Sequence, residues 1–115
     1  MRSEKHIKKA CLDYLRTLEN QGLITWVDRL NSGKFYIRRI ARKGRLINGC
    51  RAGTPDSYVI LNDGRMLWIE YKAKDGKITQ YQHDFARMVT GVGHLYLVIR
   101  SLDELMERMA EIMVD

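Results

Sequence analysis

Two short segments fourteen residues apart, Gly53-Thr54-Pro55-Asp56 and Glu70-Tyr71-Lys72, restrict the folds open to this chain more than any other feature. Between and through them run two apolar stretches, Ser57 to Leu61 and Met66 to Lys72, joined by Asn62-Asp63-Gly64. Alternation bounded by turn residues reads as a β-hairpin. In the second strand Trp68, Glu70 and Lys72 share one face and Leu67, Ile69 and Tyr71 the other, because strand side chains alternate. Loop length decides whether the two acids meet. A two-residue Asp63-Gly64 turn sets Asp56 opposite Tyr71 and puts the carboxylates on opposite faces. A three-residue turn closed by a left-handed Gly64 sets Asp56 directly opposite Glu70. If the carboxylates share a ligand, the longer turn is required, and it is the one expected. Pro55 fixes its own φ and biases Thr54 towards an extended conformation, presenting Asp56 at the strand entry, while Gly53 lets backbone or substrate come close.

The remaining periodicities surround this hairpin with helices. Ser3 to about Gln21 predicts an amphipathic helix, with Ile7, Cys11, Tyr14, Leu15 and Leu18 on one face and Gly22 as its stop. Leu23 to Asp28 and Lys34 to Ala41 predict two strands. Thr79 to about Thr90 predicts a second helix with Phe85, Met88, Val89 and Val92 as its apolar stripe. Leu95 to Ile99 is almost wholly apolar, the pattern of a strand buried on both faces. A last helix starts at Ser101, with Leu102, Leu105, Met106, Met109 and Ile112 on one face and Ser101-x-x-Glu104 as a capping box. Tyr14, Met106 and Met109 are assigned to the core. With 115 residues and no linker or repeat, the chain reads as a single domain, 1–115. The fold class is α/β: a mixed central sheet flanked by helices, in the order α-β-β-β-β-α-β-α.

Charge is unevenly spread. The net value is +6, yet between Asp28 and Asp56 there is no acid and there are eight bases: Arg29, Lys34, Arg38, Arg39, Arg42, Lys43, Arg45 and Arg51. The rest of the chain holds twelve bases against fourteen acids, so the sequence assigns the whole positive excess to that quarter. Such a patch suits a phosphate backbone, with Phe35 and Tyr36 within it for stacking or groove contact. Its bland counterpart is a solvated arginine-rich hairpin. No apolar run is long enough to span a bilayer, and the polar N-terminus is unlike a signal peptide. Cys11 and Cys50 lack partners at zinc-ligand spacing, so a cytoplasmic protein with two reduced thiols is expected.

Two carboxylates and an amine converging on one strand pair have a chemical use. Phosphodiester hydrolysis needs hard oxygen ligands for a divalent cation and a positive group to orient the attacking water. Asp56, then Glu70 and Lys72, resembles the PD-(D/E)XK nuclease signature, and within that superfamily the chain is similar to the VRR-NUC domain in its short, stand-alone, phage-encoded form. Glu4 in an opening helix, Arg29-Leu30-Asn31-Ser32-Gly33, and Gly76-Lys77-Ile78-Thr79-Gln80-Tyr81-Gln82 extend the likeness over nearly the whole chain. The resemblance implies a restriction-endonuclease-like core that binds Mg²⁺ or Mn²⁺ through Asp56, Glu70 and the Tyr71 backbone carbonyl. Lys72 is implied to activate the water, with Glu4 and Gln82 in support. It further implies a DNA endonuclease leaving 5′-phosphate and 3′-hydroxyl ends, acting as a homodimer on branched DNA such as four-way (Holliday) junctions, inside a bacterial host cell if phage-encoded. The nucleic-acid contacts assigned are Asn31, Lys34, Arg38, Arg39, Arg42, Lys43, Arg45, Arg51, Lys74 and Lys77.

Several residues carry two readings. Glu4 sits in a first helical turn, which favours a carboxylate through the helix dipole alone, yet its angle follows the core-facing stripe. Gln82 stands three residues after Thr79, the spacing of a capping box, as well as in the family-like stretch. Lys74 and Lys77 fit a solvated charged turn as well as a phosphate contact, and His83 reads as a surface histidine. The rival function is a non-catalytic nucleic-acid-binding module that retains a nuclease fold; it explains the basic segment but not the joint presence of Asp56, Glu70 and Lys72.

Overall fold

The computed structural model of the chain describes residues 3–30 and 50–114 in full, together with the strand backbones of residues 34–37 and 45–48. Helix α1, Glu4–Asn20, opens at Ser3, whose hydroxyl accepts from the His6 N–H. It closes as the glycine at position 22 predicts. Gly22, at φ +75°, donates to the Glu19 carbonyl, and Leu23 donates to the Leu18 carbonyl, a Schellman motif. Leu23 is thereby spent on ending the helix, and β1 begins only at Trp26, running to Arg29.

The strands β2 (Lys34–Ile37) and β3 (Arg45–Asn48) form an antiparallel pair of their own. β3 has no counterpart among the strands the sequence predicts, so the observed order carries one strand more than expected. Its four residues are too few for a pattern, and only a partner strand makes them β. The end of the strand expected at Lys34 to Ala41 lies outside the described residues. β4 (Ser57–Ile60) and β5 (Met66–Tyr71) follow, then α2 (Gln80–Gly91), β6 (Leu95–Ile99) and α3 (Leu102–Ile112). The main sheet runs β1-β4-β5-β6, antiparallel except for the β5–β6 pair, which α2 makes parallel by carrying the chain back across. Among the described residues the protein is thus a mixed four-stranded sheet with three helices and a separate hairpin.

The core lies on one face of the sheet. Val59, Leu67, Ile69, Tyr71, Leu97 and Ile99 pack against Ile7, Cys11, Leu15 and Leu18 of α1 and Leu105 and Met109 of α3. Within it the Ser57 and Tyr71 hydroxyls share a hydrogen bond of 3.0 Å, satisfying both. The other face is covered differently. Phe85 of α2 meets Trp68 edge-on at 5.1 Å between ring centroids, but Met88 and Val92, expected in the buried stripe, are 62% and 74% exposed. β6 is correspondingly buried on one face only, with Tyr96 and Val98 half-covered. Met106, assigned to the core, is exposed, because α3 needs only Leu105 and Met109 to fill the space above β6. The α3 capping box is also shifted: Ser101 accepts from the Glu104 N–H, while the Glu104 carboxylate reaches back to the Arg100 N–H. No helix among the described residues is long and apolar enough to cross a membrane.

Candidate metal centre

The hairpin register decides the site. Ser57 pairs with Ile69, Tyr58 with Trp68, Val59 with Leu67 and Ile60 with Met66. Leu61 donates to the Arg65 carbonyl, and Gly64, at φ +91°, donates to the Leu61 carbonyl. The loop is therefore the three-residue turn, and the register carried one pair further sets Asp56 opposite Glu70.

The ladder itself ends at the Ser57–Ile69 pair, and Pro55 precedes the strand. Proline has no N–H, so Pro55 adds no donor to the start of the ladder. The Tyr71 N–H is taken by Asp56 Oδ2 at 2.9 Å.

The first turn of α1 brings in the third acid. One carboxylate oxygen from each of Glu4, Asp56 and Glu70 falls within 4.8 Å of the others. Glu4 is exposed, whereas Asp56 and Glu70 are 8% and 4% exposed. Buried acids in contact resist ionisation together. Burial first, then the Asp56 charge and its hydrogen bond, push Glu70 up to about 8, with Lys72 pulling the other way. Lys72 Nζ stands 3.9 Å from Glu70 Oε2. Its backbone N–H is held by the Ile99 carbonyl, and its stem lies against Gly76, where an added Cβ would come within 3.4 Å of it.

Two residues of this neighbourhood have no place in the sequence expectations. Lys8 Nζ donates to Asp56 Oδ1 at 3.2 Å, so both Asp56 oxygens are engaged. Lys8 lies one turn after Glu4 on α1, and that i, i+4 spacing is the signal the sequence offers for it. Arg100 sends Nη1 to the Ala73 and Gly76 carbonyls at 2.8 and 2.7 Å, with Lys74 O at 3.3 Å, clamping the turn that follows Lys72. Nothing local in the sequence marks it.

The other expected residues sort clearly. Gln82 forms the capping box: its Oε1 accepts from the Thr79 N–H while the Thr79 hydroxyl accepts from the Gln82 N–H. Gly53, at φ +91°, has the Tyr81 carbonyl 2.5 Å from where a Cβ would stand, so glycine lets the loop before Asp56 seat on α2. Arg51, Lys74, Lys77 and His83 are exposed. Asn31, Arg38, Arg39, Arg42 and Lys43 lie outside the described residues, and Lys34 and Arg45 are located by strand backbone alone. Both cysteines are free, and burial raises the Cys11 thiol to about 11, which keeps it protonated and inert.

The three acids offer carboxylate oxygens only. That chemistry suits Mg²⁺, Mn²⁺ or Ca²⁺ rather than thiophilic metals. The chain matches no protein-family model, no curated protein and no solved structure closely enough to show a family or a shared fold.

Proposed function

We propose that this chain is a divalent-metal-dependent DNA endonuclease built on a restriction-endonuclease-like core of the VRR-NUC kind. The observation that carries the reading is the convergence of Glu4, Asp56 and Glu70 within 4.8 Å, with Lys72 beside Glu70. Asp56, Glu70 and the Tyr71 carbonyl would hold the cation, with Glu4 completing its surroundings. When bound, Mg²⁺ or Mn²⁺ supplies Lewis-acid polarisation of the phosphoryl group and neutralises charge as it develops. Lys72, fixed by its backbone bond to Ile99 and by the Arg100 clamp, donates to the attacking water or to a phosphoryl oxygen. Glu70 must give up its proton for the site to load. A homodimer fits the reading because two sites about a two-fold axis can cut paired strands, as branched DNA requires.

The Lys8–Asp56 ion pair favours a second reading, a silent nucleic-acid-binding module, since an ammonium there neutralises Asp56 without a metal. Cleavage of labelled duplex, flap and four-way junction DNA in Mg²⁺, Mn²⁺ or EDTA separates the two, with Asp56→Asn alongside. The nuclease cuts only with metal, and Asp56→Asn lowers the rate by about three orders of magnitude while binding survives. Binding to all three DNAs with no cutting in either metal leaves the silent module. Full cutting by purified Asp56→Asn protein sinks the site assignment.

A further inference from the structure

Outside residues 29–55 the chain is slightly acidic overall, but α1 gathers cations locally. A groove of about 430 Å³ between α1 and β1 is lined by Lys5, Lys8, Lys9, Arg16 and Arg29, with Asp13 its one carboxylate. Asp13 is already engaged by Lys9 at 3.0 Å. No carboxylate among the described residues forms an ion pair with Lys5, Arg16 or Arg29, and all three side chains are exposed. The other helices differ: on α2 Arg87 pairs with Asp84, and on α3 Arg108 pairs with Glu111.

We propose that this groove is the track along which the substrate's nucleic-acid phosphate backbone runs into the carboxylate site. The inference rests on the nuclease reading for what happens at the end of the track. Lys8 and Lys9 stand three and four residues after Lys5, and Arg16 stands seven after Lys9, two helical turns on, so the four make one stripe. From Lys5 to Arg16 the stripe is about 16 Å long, the span of roughly five phosphates along one strand of a duplex. It is also continuous with the site on both walls. Lys8 lines the groove and touches Asp56, and next to Arg29 the Leu30 N–H is bonded to the Asp56 carbonyl at 2.7 Å. A phosphate entering between them meets Lys8 first, and the ammonium passes from Asp56 to the incoming oxygen, freeing Oδ1 as the strand arrives.

The test measures binding of labelled duplex and single-stranded DNA in EDTA, where cutting is off, as a function of salt. Lys5→Ala/Arg16→Ala/Arg29→Ala changes exposed positions only. It should weaken duplex binding at least about tenfold and reduce the slope of log K against log salt by about 2 to 3, near 0.9 for each phosphate the variant no longer neutralises. Arg87→Ala/Arg108→Ala, cations away from the groove, should leave the slope as in the parent. An unchanged slope in the triple variant, or an equal fall in the control pair, overturns the track. Groove-dependent binding without cutting in any metal supports the track while refuting the nuclease. Metal-dependent cutting with binding indifferent to the triple variant overturns the track alone.

Discussion

The two faces of the main sheet are built on opposite plans. Towards α1 and α3 every inward side chain is apolar or internally satisfied, and Cys11, Leu15, Leu67, Ile69, Leu105 and Met109 are wholly sealed. Towards α2 the sheet offers Tyr58, Trp68 and Tyr96, and α2 buries none of its own residues completely. On that same side Trp68 and Glu70 alternate outward, and beyond them the carboxylates gather at the strand end. One face concentrates stabilising burial. The other tolerates groups that oppose folding, namely acids crowded together in low dielectric. The difference teaches that the site is carried as a cost by a core it does not join.

Substitutions on each face can break that contrast. Ile69→Ala removes a sealed side chain and should cost about 4 kcal/mol in denaturant unfolding. A loss below about 1 kcal/mol would mean that the core face is not the stabilising one. Glu70→Gln should do the reverse in EDTA. The amide keeps the shape, can donate to Asp56 and removes a charge that burial penalises, so metal-free stability at pH 8 rises, on the order of 2 kcal/mol. The same variant should lose the thermal upshift that Mn²⁺ gives the parent protein; a parent-like upshift would remove Glu70 from the ligand set.

The pH dependence follows with a definite sign. Folding lifts the Glu70 carboxyl from 4.5 to about 8, so the folded protein holds that proton more tightly than the unfolded chain does. The resulting stability is complete below pH 4.5 and is lost as pH rises through 8. In EDTA the parent should weaken across that interval, Glu70→Gln should lack this component, and added Mg²⁺ should help more at pH 8 than at pH 6. Calorimetric titration with Mn²⁺ alone gives the next effect: Lys8→Met removes the ammonium on Asp56 Oδ1 and should tighten binding about tenfold. Weaker Mn²⁺ binding would show that Lys8 orients Asp56 instead of competing at it. Smallest of all, Met88→Ala on the open side of α2 should change stability by no more than ~0.5 kcal/mol.

Much of this architecture is legible in the chain because it depends on neighbours in sequence. Ser3, Gly22, Thr79 and Ser101 mark helix ends through bonds spanning only a few residues. Gly64 fixes a three-residue turn, and that turn alone dictates that Asp56 meets Glu70 on one face. The departures share another cause. Met88, Val92 and Met106 are apolar at helical spacing, and periodicity cannot say how much of a stripe a partner will cover. β3 required a partner strand before four residues became β.

By itself, then, the sequence determined the hairpin and, with Gly64 standing where a left-handed residue closes a three-residue turn, pointed to the register that pairs the two carboxylates, since turn geometry and side-chain alternation are local constraints. Only the tertiary structure decided that α1 would deliver Glu4 to the acids, Lys8 to Asp56 and a stripe of cations to one groove. Those meetings join residues far apart in the chain, and the packing of Ile7, Cys11 and Leu15 against β5 is what brings them together.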